Sequence, residues 1–278
     1  MTLPNFLIIG AQKAGTSWLA YHLEKHPEIY LPKREIHYFD KGFNYEKGLS
    51  WYKQQFNAVT SEKAIGEKTP EYLWANGIGW ENHLSDVHQR LYETLPNAKI
   101  IITLRNPVDR AISAINHIIR SGRISPLHNV NELLIGKKQD LVKGYGILEK
   151  GLYYRQLSEY INLFGRDNIM ILIFEEMIRE PQKTIDLVCD YLKVNPYQLT
   201  ENENEKVNQS KFSRTKIAID YHFPILKGVT KRYQHLFQTG KIKPNPSTLK
   251  ALANFYNEEN QKLFQLLGRE IKSWESKY

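Results

Sequence analysis

Four short stretches of this chain carry side chains able to do chemistry. In Pro32-Lys33-Arg34-Glu35-Ile36-His37-Tyr38-Phe39-Asp40, a carboxylate and an imidazole stand two positions apart. An extended backbone there would turn Glu35 and His37 to one side, where either could accept a proton from a weak nucleophile. The alternative is a solvated loop with a surface ion pair. In Gly10-Ala11-Gln12-Lys13-Ala14-Gly15-Thr16-Ser17, two glycines bracket a lysine. Glycines let the backbone approach an anion closely, so Lys13, Ala14, Gly15, Thr16 and Ser17 form a candidate anion cradle. The alternative is a turn whose glycines serve packing alone. Lys68 and Thr69 directly precede Pro70, and Ser113 follows Arg105 by eight residues. A guanidinium and a hydroxyl facing one crevice would clamp a phosphate; the alternative is a surface arginine capped by a carboxylate.

The elements around these residues are those of a βα phosphate site. Phe6 to Ile9 is an apolar, β-prone run, and Trp18, Leu19, Leu23 and His26 follow the loop on helical spacing before Pro27. Strand, glycine loop and helix place N–H groups and a helix N-terminus at one point. The usual triphosphate loop requires Lys directly after its second glycine. Here Thr16 holds that position and Lys13 lies inside the loop.

Ala64 to Lys68 reads as a strand that Pro70 cannot continue, which puts Lys68 at its C-terminal edge. Lys99 to Leu104 is a β-branched run suited to a buried parallel strand. Asn106 and Pro107 read as N-cap and first residue of a helix to Arg120. Further helices are expected over Tyr45–Phe56, Leu84–Leu95, Gly151–Phe164, Pro181–Leu192 and Ser247–Leu267, the last with Leu249, Leu252, Phe255 and Tyr256 on its apolar side. Glu28–Leu31 and Asn168–Phe174 complete the strands. Strands alternating with helices predict an α/β fold, a three-layer α/β/α arrangement of the P-loop type around a central parallel sheet. One domain over residues 1–278 is expected, with 195–246 as an irregular lid or substrate region that includes acidic Glu201–Glu205 and basic Lys241 and Lys243.

Composition narrows the function. The 278 residues carry a net charge of +8, which favours anionic ligands. The single Cys189, among Leu187, Val188 and Leu192, excludes an internal disulfide and a cysteine metal cluster and reads as a core thiol. No apolar run approaches the roughly 20 residues of a membrane helix, and no leader is expected before the first strand. A soluble, cytoplasmic protein without a membrane partner is the expectation, which would leave the acceptor pattern Asn208-Gln209-Ser210 unglycosylated.

Taken together, the Gly10–Thr16 loop, the Lys33–Asp40 run and Arg105-Asn106-Pro107 with Ser113 resemble the sulfotransferase superfamily. The chain is most similar to its heparan sulfate 3-O- and N-sulfotransferase branch, through Glu35 to Asp40, Tyr45 to Tyr52, Glu67 to Tyr72, and the ending Phe255-Tyr256 to Gly268-Arg269. The likeness spans most of residues 5 to 192 and the last helix. Ser17 stands where some members carry Arg, and the Golgi enzymes' paired cysteines are absent. A soluble, bacterial-type member acting on another sugar or a small natural product is therefore implied.

The resemblance implies 3′-phosphoadenosine-5′-phosphosulfate as cosubstrate, with sulfonate passing to an acceptor hydroxyl or amine. Lys13, Ala14, Gly15, Thr16 and Ser17 would hold the 5′-phosphosulfate, and Arg105 and Ser113 the 3′-phosphate. Glu35 is the first choice as general base and His37 the second, while Lys13 and Lys68 would stabilise charge on the transferring group. No metal and no nucleic acid are expected. Two other readings stay open on the residues alone. A P-loop kinase using ATP and magnesium would need Lys after Gly15 and an acidic residue ending a strand. A non-enzymatic module for anionic ligands would need a basic stripe with interleaved aromatics.

Overall fold

Five strands line up in parallel in the order β2-β3-β1-β4-β5. They are β1 (Phe6–Gly10), β2 (Ile29–Tyr30), β3 (Ala64–Lys68), β4 (Lys99–Leu104) and β5 (Ile169–Ile173). The computed structural model describes residues 2–77, 79, 82–200, 213–233, 236, 240 and 242–274. Glu201–Glu205, Asn208–Ser210 and Lys241 lie outside the described residues.

Side-chain alternation on the central strand explains the layers. Phe6 and Ile8 of β1 enter one apolar cluster, and Leu7 and Ile9 enter another on the opposite face. Helices α1 (Thr16–Leu23) and α9 (Pro181–Leu192) cover the first face. Helices α3 (Gly48–Gln54), α4 (Val87–Thr94), α7 (Tyr153–Phe164) and α12 (Pro246–Leu267) supply Tyr52, Leu91, Tyr160 and Leu263 to the second. A third cluster joins α5 (Pro107–Arg120), α6 (Val130–Leu134) and Leu252 and Tyr256 of α12. The remaining helices are α2 (Gly42–Tyr45), α8 (Phe174–Arg179), α10 (Arg214–His222) and α11 (Lys227–Arg232). Cys189 is buried on α9, and burial pushes its thiol up to about 11, as suits an inert core group. No helix among the described residues is long and apolar enough to cross a membrane.

Several boundaries differ from the sequence reading, each for a local reason. The helix expected over Tyr45–Phe56 begins only at Gly48, which takes φ +76° and sets α3 apart from the short α2 that ends at Tyr45. The helix expected from Leu84 starts at Val87, since Asp86 is left-handed at φ 57°. Phe255, expected on the apolar side of α12, is 47% exposed, while Leu252, Tyr256 and Leu263 carry the packing. His26 falls beyond α1, where its Nε2 meets the Asn195 carbonyl at 2.7 Å.

The topology decides where a site can form. Strand β1 lies between β3 and β4, so the loops after these three strands open side by side at their C-terminal ends. Ligands of open α/β sheets bind at such a point. The helix after β4 is fixed as the sequence predicts. Asn106 caps it by accepting from the N–H groups of Val108 at 3.0 Å and Asp109 at 3.2 Å, with Pro107 in the first turn. Replacing Asn106 by Ala should cost about 0.5–2 kcal/mol. Thermal unfolding should register it as a fall of roughly 2–4 °C per kcal/mol.

Candidate active site

The loop after β1 is held by its neighbours before any ligand arrives. The Ala11 N–H donates to the Thr103 carbonyl at 2.7 Å, and the Thr103 hydroxyl donates to the Gly10 carbonyl at 3.1 Å. Lys13 is left-handed at φ 70° and Gly15 at φ 95°. A Cβ on Gly15 would stand 2.6 Å from Cδ2 of Phe174, so glycine is required there by both backbone and space. Thr16 is buried and Ser17 exposed in the first turn of α1. A helix N-terminus thus opens directly from the loop.

Arg105 reaches this loop from the end of β4. Its Nη1 donates to the Lys13 carbonyl at 3.2 Å, and its guanidinium lies 4.8 Å from the centroid of the Phe174 ring. Its Nε is buried without a hydrogen-bond partner. Among the described residues no carboxylate forms an ion pair with Lys13 or Arg105. The Lys13 amine is pushed down by burial first, then by the cations Arg120 and Arg105, with Glu35 opposing. Neighbouring cations that lack a counterion make a site for a bound anion. Ser113 is half-buried about two turns along α5, and no hydrogen bond joins it to Arg105.

Glu35 and His37 do meet, but not through an extended backbone. His37 is left-handed at φ 54°, and Asn44 Nδ2 donates to the carbonyls of Ile36 at 3.0 Å and His37 at 3.3 Å. This turn brings His37 Nε2 to 3.3 Å from Glu35 Oε2 and His37 Nδ1 to 2.9 Å from Asp40 Oδ2. Lys68, at the end of β3, holds the other Glu35 oxygen at 2.6 Å. Burial would raise the Glu35 carboxyl, but the His37 hydrogen bond and Lys68 bring it down to about 2. Burial would lower the His37 imidazole, but Asp40 and Glu35 carry it up to about 10. Near pH 7 Glu35 is therefore an anion and His37 a cation.

A cleft of about 390 Å³ opens beside this pair, lined among others by Gln12, Trp74, His117, Arg123 and Tyr145. Several groups in or behind it escaped the sequence reading. Asp40, fully buried, closes the carboxylate–imidazole–carboxylate row. Its only signal was its place at the end of the Glu35 to Asp40 pattern. Lys150 forms a buried ion pair with Glu71, whose other oxygen accepts from Gln12 Nε2 at 2.6 Å. Nothing in sequence spacing joins residues 12, 71 and 150. His117 lies one helical turn beyond Ser113, a spacing that could have flagged it. Burial, then Lys13, Arg120 and Arg123, push its imidazole down to about 4, so it is neutral at pH 7. Among the described residues no cluster of His, Cys, Asp and Glu could hold a metal ion.

The Sulfotransferase domain family matches residues 3–249. The membrane-associated sulfotransferase kil1 of Dictyostelium discoideum is 25% identical over 360 residues, covering 99% of this chain and 67% of that protein. The human heparan sulfate glucosamine 3-O-sulfotransferase 5 is 25% identical over 281 residues, covering 97% of this chain and 73% of that one. Among solved structures, a sulfotransferase from Alicyclobacillus acidocaldarius superposes with a TM-score of 0.73 at 26% identity, covering 99% of each chain.

Replacing Asp40 by Asn removes one of the two anions that hold the His37 proton. The wild-type imidazole should stay protonated through pH 8 in nitrogen-15 NMR spectra, and the Asp40→Asn ring should titrate about one unit lower or more. The linked effect on stability has a definite sign. With a folded value near 10 against an ordinary 6.5, protonated His37 stabilises the fold fully below about 6.5 and loses that contribution as pH rises through 10. The melting temperatures of wild type and variant should accordingly converge as pH rises from the variant's titration point through 10.

Proposed function

The chain belongs to the sulfotransferase family and is an enzyme that transfers sulfonate from 3′-phosphoadenosine-5′-phosphosulfate to a carbohydrate or small molecule, and we propose that Glu35 is its general base, acting on the hydroxyl of a saccharide-like acceptor in the cleft of Trp74 and Tyr145. The observation that carries this reading is the pair of cations, Lys13 and Arg105, that meet at the glycine loop without a carboxylate partner among the described residues. These residues fit the donor. The N-terminus of α1 with Lys13, Ala14, Gly15, Thr16 and Ser17 suits the 5′-phosphosulfate, and the buried, unpartnered Nε of Arg105 offers an N–H to the 3′-phosphate.

The donor supplies a sulfonate on a phosphate leaving group. As the acceptor oxygen bonds to sulfur and the bond from sulfur to the 5′-phosphate oxygen breaks, two charges need management. Negative charge grows on the departing phosphate, beside Lys13. A proton must leave the acceptor oxygen, whose acidity rises sharply as it bonds to sulfur. That rise lets a weak base serve, and Glu35 is ionised and has one oxygen toward His37 and one toward Lys68. His37 already carries a proton near pH 7. It suits the role of orienting Glu35 and the acceptor better than that of base. Lys68 is within reach of the same transferring charge. Arg105 with Ser113 is assigned to the 3′-phosphate, the group that distinguishes this donor from ATP.

Three measurements check the reading. Adenosine 3′,5′-bisphosphate should raise the melting temperature with concentration, and ATP with magnesium should do so poorly; equal shifts would remove the donor assignment. Arg105→Ala should weaken bisphosphate binding by roughly ten- to hundredfold, the worth of a charge-assisted contact. Glu35→Gln should slow single-turnover transfer by about 10²–10⁴-fold with little change in donor affinity. His37→Ala should lose less, mainly in acceptor binding, and the reverse order of damage would exchange the two roles.

A further inference from the structure

Glu67, one residue before Lys68, takes no part in the chemistry above and faces away from the cleft. It is fully buried, and among the described residues no cation pairs with it. Three hydroxyls converge on its carboxylate instead. Tyr52 of α3 donates to Oε1 at 2.7 Å, and Thr69 and Tyr72 donate to Oε2 at 3.2 and 3.4 Å. The Tyr72 oxygen in turn accepts the backbone N–H of Tyr38 at 2.8 Å and of Phe39 at 3.4 Å. Tyr52 also stacks on Tyr38, with ring centroids 4.6 Å apart and planes 15° apart. The segment so held is the one that carries Glu35, His37 and Asp40.

We propose that Glu67 is a positioning residue for sulfonate transfer, fixing the Glu35–Asp40 loop from behind through Tyr72 and Tyr52 while Lys68 holds Glu35 from the front. The proposal rests on the assignment of Glu35 to the reacting site. A tyrosine hydroxyl has one proton to give. By donating it to Glu67, Tyr72 keeps its lone pairs for the two loop N–H groups. Adjacent residues of one strand point to opposite faces, so β3 grips the loop on both sides with consecutive side chains. Burial raises the Glu67 carboxyl to about 7, with Asp40 adding to the rise and Tyr52, Thr69 and Tyr72 opposing it. Those four groups, from α3, the turn after β3 and the loop itself, are the polar neighbours its protonation would disturb.

The test uses wild type, Glu67→Gln and Tyr72→Phe, none of which needs an identified acceptor. A glutamine can accept through one atom only, so it cannot take hydroxyl protons on both sides. Amide exchange at Tyr38 and Phe39 should accelerate by up to about tenfold in both variants, the scale of one lost hydrogen bond. The His37 ring, read by nitrogen-15 NMR, should titrate lower by about one unit as its contacts loosen. In wild type the protection of the two amides should change as pH passes through 7, and in Glu67→Gln it should be flat. Unchanged amide protection and unchanged His37 titration in a folded variant would overturn the proposal. If one variant fails to fold, the other decides by the same two readouts. Binding of adenosine 3′,5′-bisphosphate should stay within about twofold of wild type, since the donor loop is untouched. Failure of that ligand to bind wild type would count against the donor assignment and leave the loop measurements to judge Glu67 on their own.

Discussion

The structure depends on a concentration of positive charge at the ends of three adjacent parallel strands. Lys13 follows β1, Lys68 ends β3 and Arg105 follows β4, and the strand order puts the three side by side. Among the described residues, Lys68 alone of the three has a carboxylate partner, that of Glu35. The other two repel each other, and burial depresses the Lys13 amine further. Such an arrangement costs stability in the free protein and is offset when an anion binds. The sheet and its two apolar faces supply the rigidity that keeps the cations from moving apart.

The same charge sets the character of the proposed base, Glu35. A carboxylate beside Lys68 and a protonated His37 stays ionised, at the cost of basicity. Sulfonate transfer tolerates this, because the acceptor proton becomes acidic only as the new bond forms. An imidazole tuned near 7 would be the better base for a free hydroxyl, but His37 is locked in its cationic form by two carboxylates. Acidic and basic side chains alternate from Lys68 through Glu35 and His37 to Asp40, so that His37 and Lys68 lower the Glu35 carboxyl while Asp40 and Glu35 raise the His37 imidazole.

Much of this was legible in the sequence. The parallel α/β layers followed from β-branched runs alternating with helical spacing, and the edge position of Lys68 from Pro70. The cap at Asn106 and the buried Cys189 were equally plain. What stayed hidden depended on backbone conformation or on distant partners. The left-handed His37 has no spacing signature, so an extended loop was the natural expectation, and the two side chains meet by a different route. The Gln12, Glu71 and Lys150 cluster joins residues more than fifty positions apart, which only the folded chain brings together. The irregular region after residue 195 folds in part as α10, whose one buried residue, Ile217, leaves little periodic signal.

Two histidines that line one cleft show how completely environment decides protonation. His37, between Glu35 and Asp40, rises to about 10, while His117, facing Lys13, Arg120 and Arg123, falls to about 4. Neither titrates near neutral pH, although the free side chain would. The cleft is therefore lined both by a protonated imidazole beside the Glu35 carboxylate and by a neutral imidazole near cations. In the proposed reaction an acceptor hydroxyl entering it gives its proton to Glu35. The neutral His117 ring needs no change of protonation to hydrogen-bond that hydroxyl. Charge moves during transfer while the protonation of both histidines stays as it was, which is the preorganisation that electrostatic catalysis requires.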